Sequence, residues 1–143
     1  DSFQISSGTE IKYPVDVMTI DYVPAEYHLS EQSKRTATEN WDRFALAVSF
    51  YQILFGIHPF MATCDDSMDI STIEDAIKNG MFVHGSRRNH LTVIPHPHNK
   101  YNELPYQIKL LFSKAFNHNY EIDRPSAEEW GKTLHSELNQ IRK

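Results

Sequence analysis

The residues that could do chemistry are few, and their spacing excludes most reactions. The five glycines, Gly8, Gly56, Gly80, Gly85 and Gly131, are too scattered to form a loop whose bare backbone N–H groups cradle a phosphate. No G-x-S-x-G nucleophile elbow and no H-E-x-x-H pair is present. His96 and His98 alternate with proline in Pro95-His96-Pro97-His98. Two imidazoles that close could chelate a metal, but a polar, proline-rich loop is the simpler reading. Asp65, Asp66 and Asp69 lack the glycine and the terminal glutamate of a calcium loop and read as solvated acids. Cys64 has no neighbouring cation in sequence to stabilise a thiolate, so it reads as a loop or semi-buried thiol rather than a nucleophile.

The chain that must position these groups has 143 residues, enough for one core and one domain. Apolar residues make up 40% and charged residues 23%, the balance of an ordinary folded globule rather than a disordered chain. Fourteen Lys and Arg against nineteen Asp and Glu leave a net charge of −5, which argues against nucleic acid or an anionic membrane as partner. A single cysteine excludes an internal disulfide framework and is compatible with a cytoplasmic location. No apolar run is long enough to span a membrane. The abrupt opening at Asp1-Ser2-Phe3 reads as a trimmed chain.

Hydrophobic spacing predicts an all-α domain behind a long N-terminal loop over residues 1–23, with a brief alternation at Ile11, Tyr13 and Val15. Pro24 can open a short helix through Leu29. Residues 38–55 are apolar on nearly every face, the mark of a buried central helix, with Thr38 as N-cap and Gly56 as stop. Ser71-Thr72-Ile73-Glu74 reads as a capping box for a short helix ending before Gly80. Residues 81–103 read mainly as loop. Pro105 opens a helix with Ile108, Leu111, Phe112, Ala115 and Phe116 inward. Ser126 to Glu129 caps a last helix with a stripe of Trp130, Leu134, Leu138 and Ile141.

Several short motifs, taken in order, carry a resemblance. Thr19-Ile20-Asp21-Tyr22-Val23-Pro24-Ala25-Glu26 resembles the T-x-x-Y-x-A-P-E end of a protein-kinase activation segment, with Pro and Ala exchanged. Asp42-Arg43-Phe44-Ala45-Leu46-Ala47 through Gly56-Ile57-His58-Pro59-Phe60 is similar to the kinase stretch D-x-W-S-L-G…G-x-x-P-F. Asp123-Arg124-Pro125-Ser126-Ala127-Glu128-Glu129 resembles the R-P-[ST]-A-x-E that opens the last kinase helix. Asp1-Ser2-Phe3 falls where kinases carry D-F-G, and a bacterial branch of serine/threonine-kinase-like proteins has D-S-F there. Phe112-Ser113-Lys114-Ala115-Phe116 and Trp130 look like the same branch.

The resemblance implies the helical large lobe of a protein kinase, with 1–26 as activation segment and 27–143 as helical subdomain. It further implies that Asp1 holds the Mg²⁺ bridging the phosphates of ATP. Thr19 would position a Ser/Thr hydroxyl of a protein substrate. Glu26 would pair with Arg124, and Asp42 would anchor the catalytic loop from the central helix. The glycine-rich loop, the small-lobe Lys and the H-R-D-x-x-x-x-N loop are absent from this sequence, so this chain alone is expected to be inactive and to hold no cofactor. The alternative is a pseudokinase lobe acting as a binding module. The many apolar faces of the central helix also suggest exposure of Trp41, Phe44, Phe50, Tyr51 and Phe55, and hence pairing with a second copy or a swap of the N-terminal segment.

Overall fold

A computed structural model describes residues 5–7, 10–13, 18–30, 38–116 and 123–143. Within them the architecture is all-α, with two minimal β-ladders. The elements are β1 (Ile5–Ser7), β2 (Glu10–Tyr13), α1 (Ala25–Leu29), α2 (Glu39–Phe55), β3 (Thr63–Cys64), α3 (Ile73–Lys78), β4 (Leu91–Val93), α4 (Tyr106–Ala115) and α5 (Ala127–Ile141). Short 3-10 turns occur at Ile20–Tyr22, Asp66–Met68 and Arg88–His90, with a longer one at His96–Glu103. No described helix is long and apolar enough to cross a membrane.

Helix α2 is the axis. Its neighbours are α4, the 3-10 helix His96–Glu103 and the Ile20–Tyr22 turn, while α5 packs on α4 and α1 on α3. Gly56 ends α2 at φ 68°, and its N–H donates to the Gln52 carbonyl at 2.8 Å. An added Cβ would meet nothing there, so it is the left-handed backbone that calls for glycine. Val48 and Tyr51 are fully buried. The Tyr51 ring contacts Phe55, Phe82, Phe112 and Phe116, with centroids 4.5–6.5 Å apart. Phe112 in turn meets Trp130 edge-on at 4.8 Å, which seats the first turn of α5.

A polar chain crosses this aromatic core. The Tyr51 hydroxyl lies 2.7 Å from His98 Nδ1 and 3.1 Å from His84 Nε2. His98 Nε2 lies 2.8 Å from the Met61 carbonyl. His98 therefore donates from Nε2 to Met61 and accepts the Tyr51 proton at Nδ1. Burial pushes the imidazolium forms of His84 and His98 out of favour, His84 down to about 4 with help from His98 and Arg88.

The structure departs from the sequence reading at several places. The N-terminal stretch read as loop contains an antiparallel ladder pairing Ile5 with Tyr13 and Ser7 with Glu10. The 81–103 stretch contains β4, paired with β3, and two 3-10 helices. Strands this short carry no readable period, and β3 and β4 also lie far apart in sequence. The α3 capping box is shifted by one residue: Thr72 caps and Asp75 reciprocates. Trp41, Phe44, Tyr51 and Phe55 are buried, and Phe50 packs against Trp130 at 5.1 Å. The residues on which pairing with a second copy was expected to rest are thus covered. The exposed apolar positions of α2 are instead Ile53 at 78% and Leu54 at 48%. On α5, only Trp130 of the expected stripe is buried, while Leu134, Leu138 and Ile141 are exposed.

Two outcomes follow. Phe112→Ala opens a cavity in the aromatic core and costs about 3–5 kcal/mol, whereas Ile53→Ala stays within about 0.5 kcal/mol; urea unfolding measures both. His28, His58, His84 and His98 all have lowered pKa values, chiefly from burial, so each binds a proton less readily folded than unfolded. Their contribution is complete above the ordinary value of 6.5 and is lost as pH falls from there, through about 4 for His84. The urea midpoint should decline over that window, and a flat profile would show the histidines to be solvated.

Candidate functional site

Arg124 is a guanidinium buried to 3% exposure in the extended residues that lead into α5. Charge at that depth must be neutralised and its donors occupied. NH1 donates to Glu26 Oε1 at 2.6 Å and NH2 to Glu26 Oε2 at 3.0 Å, a bidentate fork. Nε donates to the Ala115 carbonyl at 3.0 Å, in the last turn of α4, where helix carbonyls lack intrahelical partners. NH1 also reaches the Asn40 carbonyl at 3.2 Å. The guanidinium carbon sits 5.3 Å from the Phe44 ring centroid.

The Arg124 backbone is held as firmly as the side chain. Its N–H donates to Asn40 Oδ1 at 2.8 Å, and its carbonyl accepts from Arg43 NH1 at 2.9 Å. Arg43 is steadied in turn by Glu39 one helical turn earlier, at 2.8 Å. One residue therefore joins α1 through Glu26, α2 through Asn40, Arg43 and Phe44, the end of α4 through Ala115, and the entry to α5. Ser126 caps that last helix by accepting from the Glu129 N–H at 3.2 Å.

The segment ahead of Glu26 is fastened to the same body. Thr19 is exposed, its hydroxyl makes no capping bond, and its carbonyl accepts the Tyr22 N–H at 2.9 Å. The Tyr22 hydroxyl donates to Gln52 Oε1 on α2. Val23, Pro24 and Ala25 are buried. Thr19 is thus presented outward on a turn whose C-terminal end is tied to α2.

Among the sequence-derived candidates, the structure brings Glu26 and Arg124 into contact. Asp42 is exposed in the first turn of α2. Asp1 lies outside the described residues. His98 is buried with both ring nitrogens bonded and His96 is exposed, so the pair does not converge on a metal. Among the described residues no group of three or more His, Cys, Asp or Glu could hold a metal ion. Asp65 accepts from the Ser67 N–H at 3.0 Å in a local turn. The Cys64 thiol is buried, and desolvation, with the nearby Asp65 charge, raises its pKa and disfavours the thiolate. Asn40 and His58 escaped the sequence reading. A polar residue in a first helical turn and a histidine beside a proline carry no local signal of contacts made tens of residues away.

No protein-family model matches the chain, and no solved structure matches it. Among curated proteins it is similar to Protein kinase YegI of Escherichia coli (strain K12), at 27% identity over an alignment covering 100% of this chain. The chain spans 22% of that relative's length. The likeness supports a protein-kinase-like relationship, and the mostly helical architecture is consistent with a kinase large lobe.

Removing the Arg124 side chain strands the Glu26 carboxylate and two carbonyls. Arg124→Ala should cost about 3–5 kcal/mol in urea unfolding. Arg124→Lys, which keeps the charge but cannot fork, should still cost about 1.5–3 kcal/mol. A loss below about 0.5 kcal/mol for the alanine variant would mean that the pair is not held in solution.

Proposed function

We propose that this chain is the large-lobe portion of a serine/threonine protein kinase, contributing the substrate-positioning end of the activation segment and the helical body behind it. The observation that carries this reading is the Glu26–Arg124 fork, which fixes the Thr19–Glu26 segment onto α2 and α5. The kinase relative and the order of the motifs support it. In this reading the exposed Thr19 hydroxyl aligns a serine or threonine of a protein substrate, and Asp1 binds Mg²⁺ with the phosphates of ATP. Asp42 holds the backbone of the catalytic loop. In this reading the chain by itself orients rather than reacts, because the H-R-D-x-x-x-x-N loop and the small-lobe Lys are not in its sequence. The expected compartment is the cytoplasm.

Calorimetric titration of the chain with Mg·ATP should show no micromolar binding. Phosphate transfer to Ser/Thr peptides should appear in the longest natural chain that carries these residues, and Thr19→Val should lower it by about 100-fold while Thr19→Ser retains most of it. Failure of that longer chain to transfer phosphate would favour the pseudokinase alternative. Micromolar ATP binding by the 143-residue chain would overturn the division of labour proposed here.

A further inference from the structure

His58 follows α2 in Gly56-Ile57-His58-Pro59-Phe60 and is 2% exposed. Both ring nitrogens are used. The Phe60 N–H donates to Nδ1 at 3.2 Å, so Nδ1 carries no proton. The proton therefore resides on Nε2, which donates to the Asp21 carbonyl at 2.8 Å. Asp21 is the middle residue of the Ile20–Tyr22 turn, immediately after Thr19. The Tyr22 ring stands edge-on to the imidazole, with centroids 6.4 Å apart and planes at 83°. The His58 carbonyl accepts the Met61 N–H at 3.0 Å, which fixes the ring's own backbone. The titratable groups acting on the ring are Asp21, which favours its proton, and His98, which opposes it; burial outweighs both and keeps the ring neutral.

We propose that His58 is the positioning residue of the Thr19–Tyr22 turn: its neutral imidazole latches the Asp21 carbonyl to the loop that ends α2, so the C-terminus of the central helix sets where the Thr19 hydroxyl is presented. The ring links two backbone segments in a single tautomer. The Phe60 N–H selects that tautomer, and the Asp21 carbonyl is held by the donor it leaves. The consequence for substrate alignment rests on the reading of Thr19 given above, while the latch itself stands on the geometry.

Two variants separate the halves of the ring. Asn in place of His58 keeps an acceptor near Nδ1 for Phe60 but removes the donor to Asp21. Gln places an amide N–H near Nε2 and restores that donor. In the intact chain, amide hydrogen exchange of residues 20–23 should accelerate about tenfold in His58→Asn and stay within about threefold of wild type in His58→Gln. The Gly56 and Met61 amides, bonded to backbone carbonyls, should remain protected in both, while the Phe60 amide should exchange faster in His58→Gln, which lacks an acceptor at the Nδ1 position. Equal protection of the turn in wild type and His58→Asn would overturn the latch, as would equal loosening in both variants. Should either variant fail to fold, nitrogen-15 spectra of the wild-type imidazole decide: a bare Nδ1 with protonated Nε2 at neutral pH supports the latch, and the opposite tautomer or an imidazolium overturns it. Absence of phosphate transfer in the longer chain would overturn the role of Thr19 and leave these exchange and tautomer results to judge His58 alone.

Discussion

A buried guanidinium tolerates no vacancy among its partners, and that constraint organises this fold. Arg124 needs acceptors on more than one side, and no single element supplies them. Glu26 comes from α1, the Ala115 carbonyl from the end of α4, and the Asn40 carbonyl and Phe44 ring from α2. Satisfying one side chain thus fixes the relative placement of α1, α2 and α4 and the start of α5. Lysine could neutralise Glu26 but could not fork across both carboxylate oxygens while donating sideways to α4. The pair also determines what the chain can present. With Glu26 bonded to Arg124 through both carboxylate oxygens and Val23 to Ala25 buried, the preceding turn leaves Thr19 at the surface.

The aromatic core complements this polar junction. Tyr51, Phe112 and Trp130 meet edge-on through α2, α4 and α5 and supply apolar burial that no ion pair provides. Within that core, Tyr51 and His98 bond through a single compatible arrangement of protons, as do His58 and its two backbone partners. Buried polar groups of this kind add little net stability when satisfied and cost much when one partner is lost. Their effect is to fix loops such as 56–61, which lack the ladder of a helix or strand.

The sequence spoke clearly where the physics is local. The apolar run from Trp41 to Phe55, ended by Gly56, marked the central helix, and Pro105 and Ser126 marked the starts of α4 and α5. Its silence falls where the determining contact is remote. Two- and three-residue strands joining 63–64 to 91–93 have no period to read. Thr72 and not Ser71 caps α3 because Asp75 answers it from one residue farther on. The exposure expected of Phe44, Tyr51 and Phe55 failed because residues 60–116 fold back over that face, and Trp41 is covered from α1, where the Tyr27 ring meets it edge-on at 5.5 Å. Glu26 and Arg124 were legible only through motif order, because a surface acid and a surface arginine have the same local sequence as a buried pair. Asn40 lies outside those motifs, and His58 fills a position that the G-x-x-P-F stretch leaves open.

The central claim is that Glu26 and Arg124 act as one buried unit joining the Thr19 segment to the helical body. A double-mutant cycle on Glu26→Ala, Arg124→Ala and the combined variant, read by urea unfolding, tests it without reference to activity. The account predicts a coupling energy of about 2–3 kcal/mol, as for residues sharing one charged hydrogen-bond network. Additive effects, with coupling within about 0.5 kcal/mol of zero, would contradict it.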